Sequence, residues 1–375
     1  MTQPTLPDSD VDEAGLRKPD KPLRRGWTTG ACATAATKAA LTALLGDDFP
    51  DPVSITLPKG DTPSFVLAHE KRGDSFAEAG IIKDAGDDPD VTHGAMVIAR
   101  VRHSEPGAGI LFKAGKGVGT VTKKGLPIEP GKPAINPVPR QMISQVIAEL
   151  ASYYAIAPDI EVTVSVPGGE ALAQKTWNPR LGIVGGISIL GTTGVVHPFS
   201  CAAWIHSIHR GVDVARAAGL KEIYAATGST SEAAIIEKFQ PPEISLIDMG
   251  DFAGGLLKYL RAHPVPKLTI AGGFAKLTKL AQGHLDLHSS RSQVDMTFLA
   301  TVARKSGLNQ RASLSIQNAN TAKEALEIAK ENEVNLAVET ANKAAEVALE
   351  VVKEQDIAID ILVVDRNGQI LAKSS

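Results

Sequence analysis

The chain has little from which to build a disulfide framework or a metal cage. Two of its 375 residues are cysteine, Cys32 and Cys201, and neither belongs to a Cys-x-x-Cys pair or stands at zinc-site spacing from histidine. That usage excludes a disulfide-stapled fold and fits a reducing compartment. Aromatic residues make up 4% and the formal net charge is -3, so the basic field and stacking residues of a nucleic-acid binder are missing. Long apolar runs are missing too. The longest uncharged stretch, Leu181 to Val196, contains five glycines and is too short and interrupted to span a bilayer. The first 22 residues hold four prolines and five acids against three bases, without an apolar stretch; they are expected to be a disordered tail rather than a signal peptide. No GxGxxG, GxxxxGK[ST] or HExxH pattern occurs, which excludes a Walker-type nucleotidase and argues against catalytic zinc. A soluble cytoplasmic protein without a protein-bound metal is the expectation.

What is present suits a globular chain of two domains: 43% of residues are hydrophobic and the mean hydropathy is near zero. From Gly26 to about Val196 one Ala/Thr-rich helix, Ala31 to about Leu45, is followed by short apolar runs broken by Gly, Pro and Asp. Strands are expected at Val53–Leu57, Phe65–Glu70, Ala95–Arg102, Val118–Thr122 and Ile160–Val166, with a second helix from Pro139 to about Tyr154. After His197 helices and strands alternate. Strands are predicted at Glu222–Thr227, Ile244–Met249 and Lys267–Ala271, then two or three helices over Ser292–Glu354 and a hairpin turned at Asn367-Gly368. The fold class is therefore α/β: an N-terminal α+β domain with a mixed sheet over residues 23–196, and a Rossmann-like three-layer α/β domain over 197–375.

Three strand ends of the second domain carry glycine. The first ends in Thr227-Gly228-Ser229-Thr230, the next in Asp248-Met249-Gly250-Asp251 and the third in Gly272-Gly273. Ligands of open α/β sheets sit beyond the carboxyl ends of the strands; glycine there admits a nucleoside, and an acid on the following strand can take ribose hydroxyls. Tight βα turns explain the same glycines equally well. In the first domain Thr28-Thr29-Gly30 opens a helix, either as a carboxylate or phosphate site or as a cap and close-packed helix start. Cys32, in that first turn, reads as a small packing residue. The acidic run Lys83 to Asp90 offers a general base or a cation site, or is a solvated turn. Lys175 and Arg180, beside flexible backbone, suit a polycarboxylate. His284, His288 and Arg291 flank Asp286 and are read evenly as substrate contacts or surface residues.

Several long segments, taken together, resemble one family, the cobalt-precorrin-5B C1-methyltransferases of cobalamin biosynthesis. They are TTGACATAATKAA (Thr28 to Ala40), IIKDAGDDPDVTHGA (Ile81 to Ala95), the Gly115 to Ile143 stretch, SVPGGEALAQKTWNPRLGIVGGISILGTTGVVHP (Ser165 to Pro198) and GGFAKLTKLAQGHLDLHS (Gly272 to Ser289). The likeness runs from about Leu23 to the final hairpin. It implies S-adenosylmethionine as methyl donor and a ring-contracted cobalt macrocycle, bearing several carboxylates, as acceptor. Under that implication the donor is expected at Thr227, Gly228, Ser229, Asp248 and Gly250. The acceptor's carboxylates are expected across an interdomain cleft at Thr28, Thr29, Lys83, Lys175, Arg180, His288 and Arg291, with Asp84 or Asp87 as the base. A homo-oligomer or transient contact with other enzymes of the pathway fits the same reading. The competing readings are a small-molecule kinase and a tetrapyrrole carrier without catalysis.

Overall fold

The computed structural model describes residues 22–353 and 355–375; the tail expected over residues 1–22 lies, Pro22 apart, outside them. The chain divides into two compact units. One runs to Thr120 and takes in Lys132–Thr176 and Gly185–Ser200. The other comprises Cys201–Ser375 together with two segments drawn from earlier in the sequence, Val121–Gly131 and Trp177–Val184.

The first unit is organised around helix α1 (Thr29–Leu44). Its sequence is nearly all Ala, Thr and Leu, so it has no charged face to turn to water, and it is buried almost all round. Threonine hydroxyls inside such a helix need acceptors, and Thr34 and Thr37 donate to the carbonyls of Gly30 and Ala33 at 2.8 and 2.7 Å. Gly46, at φ +111°, follows the last turn as the expected stop. Strands β1 (His69–Gly73), β2 (Phe76–Ile82), β3 (Met96–His103) and β4 (Leu111–Ala114), helix α2 (Pro137–Tyr153) and strand β5 (Ile160–Ser165) complete the unit's main elements. The sheet order is β1-β2-β3-β5-β4, antiparallel except for the β5–β4 pair.

Apolar patterning predicts a strand over Phe65–Glu70, yet the ladder runs through His69–Gly73 and Phe76–Ile82 instead. Strand β2 reads FAEAGII, poor in the β-branched residues that mark strands. Its Ala77, Ala79 and Ile81 join Val97, Ala99 and Val101 of β3 in one core with the alanines of α1. Small side chains on both partners make that packing, and packing overrides propensity. The runs at Val53–Leu57 and Val118–Thr122 reduce to two-residue pairings, Val53–Ser54 with Ser64–Phe65, and Gly117–Val118 with Gly186–Ile187.

The second unit alternates as its pattern predicts: α3 (Cys201–Ala217), β6 (Glu222–Ala226), α4 (Ser229–Phe239), β7 (Leu246–Asp248), α5 (Ala253–Ala262), β8 (Lys267–Gly273) and α6 (Phe274–Ala281). Where two or three helices are expected there are four: α7 (Met296–Lys305), α8 (Gln310–Gln317), α9 (Ala322–Glu331) and α10 (Leu336–Val352). Each of the four starts at an Asp, Asn or Thr whose side chain accepts a first-turn N–H, a capping signal that separates the segments. Strands β9 (Ala358–Val364) and β10 (Ile370–Lys373) close the chain. The sheet order is β7-β6-β8-β9-β10, parallel except for the last pair.

The two faces of this sheet are covered unequally. Alternate residues Ile223, Ala225, Ile247, Leu268, Ile270, Ile361 and Val363 share one large core with α3, α5, α6 and the four later helices. On the other face Ala226, Leu246, Ala271 and Leu362 pack with Ala234 and Ile235 of α4. Beside that small cluster runs a ladder of ion pairs: Lys267 meets Glu222 at 3.0 Å and Asp360 at 3.2 Å, and Lys373 meets Asp360 at 3.1 Å. Charged residues of alternating sign therefore finish the face that α4 leaves uncovered.

Candidate functional site

In a parallel sheet of order β7-β6-β8-β9 the chain leaves β6 toward one edge and leaves β8 toward the other, so a crevice opens between the carboxyl ends of β6 and β8. Both ends are built from small residues. Thr227 is buried, with its N–H donated to Ala271 at 3.0 Å. Gly272 stands so close that a Cβ there would meet the Thr227 side chain at 2.9 Å. Gly228 and Gly273, one residue further on, have nothing within 4 Å of a Cβ position. They begin α4 and α6, and neither helix start carries a side-chain capping hydrogen bond. Two uncapped helix N-termini beside open space make a place for hydroxyl, carboxylate or phosphate oxygens. Ser229 is exposed in the first turn of α4.

Polar side chains frame the crevice. Lys276, in the first turn of α6, donates to the Thr227 carbonyl at 3.0 Å and lies 3.1 Å from Asp251 Oδ1. Asp248 closes strand β7, and burial, with Glu232 as a nearby like charge, pushes its carboxyl above the ordinary range. Gly250 follows in the left-handed region at φ +56° and donates its N–H to Ala226 at 3.1 Å. A narrow cleft beside Asp248 is lined by Trp177, Arg180, Leu181, Gly211, Ile244 and Ile247. A second hollow, lined by Asp213, Arg216, Lys221 and Pro264 among others, lies at the opposite, amino end of the strands.

The loop bearing His288 is fastened to this end of the sheet. Leu287 donates to the Asp251 carbonyl at 2.9 Å, Gly254 donates to Leu285 at 2.8 Å, and the buried Lys279 ammonium donates to the Leu287 carbonyl at 2.8 Å. His288 Nδ1 accepts from the Ser290 N–H at 3.2 Å, which leaves the proton of the neutral ring on Nε2. Arg291 is exposed three residues on. Arg180 also belongs to this unit, but its guanidinium is engaged: it forks onto Glu232 of α4 at 2.7 and 2.6 Å and lies 3.8 Å from Glu243.

The remaining sequence-predicted residues lie in the first unit, and Lys175 is exposed there. Thr28 caps α1, its hydroxyl oxygen accepting from Ala31 at 3.1 Å, while Gly30 donates to the Leu190 carbonyl at 2.8 Å. Buried Thr29 exchanges hydrogen bonds with Leu190, accepting its N–H at 2.9 Å. Lys83 is 1% exposed and its ammonium sits 2.6 Å from Asp90, which also accepts the Thr92 hydroxyl at 2.6 Å. A solvent-borne carboxylate has no access to that ammonium. Asp84 is paired through both oxygens with Arg24, one contact at 2.9 Å, and its carboxyl is held down to about 2, first by that hydrogen bond and then by the Gly86 N–H. Asp87 accepts the Arg24 N–H at 2.6 Å. Cys32 is sealed in the core, where burial pushes its thiol up to about 12, as befits a packing residue.

Sequence reasoning missed Lys276 and Trp204 at the strand ends and named Asp251 only as part of the second strand-end motif, without a role. Lysine three residues after Gly-Gly was an available signal; nothing in the sequence singled out Trp204. Among the described residues no group of three His, Cys, Asp or Glu could hold a metal ion, and no helix is long and apolar enough to cross a membrane.

Comparison with known proteins gives the lineage. The CbiD family model matches residues 16–198, and the model described as CbiD, C-terminal domain, matches residues 286–375. A cobalt-precorrin-5B C(1)-methyltransferase of Brucella anthropi is 63% identical over 351 residues, 94% of this chain and 95% of the relative. The protein of the same name in Brucella canis is 60% identical over 366 residues, 97% of this chain and 100% of the relative. A 1.9 Å crystal structure of the cobalamin biosynthesis protein (cbiD) from Archaeoglobus fulgidus is 28% identical, covers 76% of this chain and 93% of that one, and superposes with a TM-score of 0.40. With relatives this similar over nearly its whole length, the chain belongs to the CbiD family.

Proposed function

We propose that this chain transfers a methyl group from S-adenosylmethionine to C-1 of cobalt-precorrin-5B in cobalamin biosynthesis. The observation that carries the reaction is the near-full-length identity, above 60%, to a protein of that name. The geometry supports a location for the donor. The second unit is read as a Rossmann-like domain whose crevice at Thr227, Gly228 and Ser229, bounded by Asp248 and Gly250, holds the nucleoside. Open space at Gly228 and Gly273 fits the close approach of a ligand to backbone, and the Asp248 carboxylate fits two ribose hydroxyls.

The donor supplies an electrophilic methyl carbon on a cationic sulfur; the protein's task is placement. Helix starts α4 and α6 would orient the donor's polar ends, so that the acceptor carbon meets the methyl in line, and orientation of this kind accounts for much of the acceleration in such transfers. The His288 Nε2–H and the exposed Arg291 are the donors proposed for the macrocycle's carboxylates, since Arg180 is held by Glu232. Of the two acids expected as base, Asp84 is a poor proton acceptor while Arg24 holds it near 2, which makes Asp87 the first candidate to test. Cobalt enters with the substrate. A pathway enzyme of this kind works in the cytoplasm.

The test is anaerobic incubation with methyl-labelled S-adenosylmethionine and the deacylated cobalt intermediate. One labelled methyl per macrocycle, placed at C-1 by spectroscopy, is expected. Macrocycle binding without label transfer would instead fit a carrier.

A further inference from the structure

The structure assigns to Trp204 a part that no strand-end motif suggests: we propose that its indole is the platform on which the adenine of the methyl donor stacks. The inference rests on the donor site described above and extends it to base recognition.

Single exposed tryptophans are ordinary; this one is distinguished by being fixed in place. Trp204 lies in the first turn of α3 and keeps 42% of its surface exposed. Its indole N–H donates to the Asp248 carbonyl at 3.1 Å, which ties the ring to the last residue of β7. Trp177 meets it edge-on, with centroids 6.0 Å apart and planes at 87°, and Phe252 supports it at 6.3 Å. The ring covers Gly250, where a Cβ would stand 3.4 Å from Cε2 and Cζ2. Glycine at φ +56° is what lets the chain turn beneath the indole. A rigid aromatic plate thus stands immediately past the strand end, with part of its surface turned outward.

Its position selects the part of the donor it would meet. If the Asp248 carboxylate takes the ribose hydroxyls, the polar tail runs toward the β6–β8 crevice and the base runs the other way, past the strand end to the outward face of the indole that covers Gly250. Trp204 stands at that second end. Stacking is available to a purine whatever its hydrogen bonding, and a ring already held by three neighbours loses little freedom when a base covers it.

The experiment uses the full chain and two probes, S-adenosylhomocysteine and adenosine, measured by calorimetry and by tryptophan emission. Three tryptophans are present, Trp27, Trp177 and Trp204. Trp204→Ala should weaken both probes by the same factor, from about 5-fold to about 150-fold, the range of one lost base–aromatic stack. Trp204→Phe should recover most of the affinity, while the ligand-induced quenching expected of the parent protein disappears. If Trp204→Ala does not fold, the Trp204→Phe emission decides. Unchanged affinity in Trp204→Ala, or quenching that persists in Trp204→Phe, overturns the platform. Asp248→Ala separates the two levels. Loss of binding there with none in Trp204→Ala sinks the platform alone, whereas no loss in either sinks the donor site with it.

Discussion

Helix α1 of the first unit and helices α4 and α6 of the second all begin on short segments of Gly, Ser or Thr, and backbone N–H groups at any helix start attract oxygen ligands. Their fates differ. In α1 the Thr28 hydroxyl takes the Ala31 N–H and the Leu190 carbonyl takes the Gly30 N–H. A Cβ on Gly30 would strike Pro139 at 2.7 Å and the Leu190 oxygen at 2.9 Å. In α4 and α6 no side chain caps the start, and the space beside Gly228 and Gly273 is open. The first glycine is there for packing, the other two leave room. What separates a helix start closed by packing from one left open to a ligand is whether the fold has already used the donors.

The sharpest way to break this comparison is to add the same side chain on both sides of it. Gly30→Val forces a branched side chain against a backbone oxygen that cannot move aside, and should cost about 3 kcal/mol, lowering the melting temperature by roughly 6–12 °C. Gly228 sits at φ 162°, extended backbone open to any residue, so Gly228→Val should leave stability within about 0.5 kcal/mol. The new side chain instead fills the crevice and should weaken S-adenosylhomocysteine by at least about tenfold. Thermal melts and calorimetry on the two variants read both effects. A stable Gly30→Val, or a Gly228→Val that binds normally, would show that the two helix starts do not differ in the way described.

A second, smaller effect sharpens the open side. The Asp248 carboxyl is raised by burial more than Arg180 and the Gly250 N–H lower it. A carboxyl raised on folding binds its proton more tightly in the native state. Its contribution to stability is therefore retained at acid pH and lost as pH climbs from the unfolded value of about 3.9 through the folded one. At neutral pH ionised Asp248 is a net liability to the fold, the pattern expected of a residue kept for binding. Asp248→Asn should melt slightly higher than the parent at pH 7, with the gain shrinking at pH 4, while ribose-dependent binding falls. A variant that melts lower at pH 7 would mean that the attraction of the nearby Arg180 charge outweighs burial.

The distinction between the helix starts was only half legible in the sequence. Alternation of helix and strand after His197 placed β6, β7 and β8 to within a few residues, because parallel strands buried on both faces read as compact apolar runs between helices. Their glycine- and acid-bearing ends were visible for the same reason. What periodicity could not carry was partnership across distance. That Leu190 would consume the donors of α1, that Glu232 would hold Arg180, and that Asp90 would bury Lys83 each depends on residues 7 to 161 positions apart. Strand β2 was missed on related grounds, since alanine marks a strand only once an alanine helix is known to lie on it.

The smallest expected effect concerns the acidic turn of the first unit. Asp84 is held near 2 chiefly by the Arg24 side chain, and a depressed carboxyl stabilises the fold above its unfolded value and loses that contribution as pH falls toward the folded one. Both partners are substantially exposed, so solvent screening keeps the energy small and removing the pair should barely alter the melt at pH 7. Arg24→Met should nonetheless return Asp84 toward the ordinary carboxylate range, so that the small difference in melting temperature from the parent disappears as pH falls toward 2. In the methyl-transfer assay the same variant distinguishes the two candidate bases. With Asp87 as the proton acceptor, the acid limb of the rate profile stays where it is. If that limb instead moves up with the Asp84 carboxyl, then Asp84 is the base and Arg24 is what tunes it.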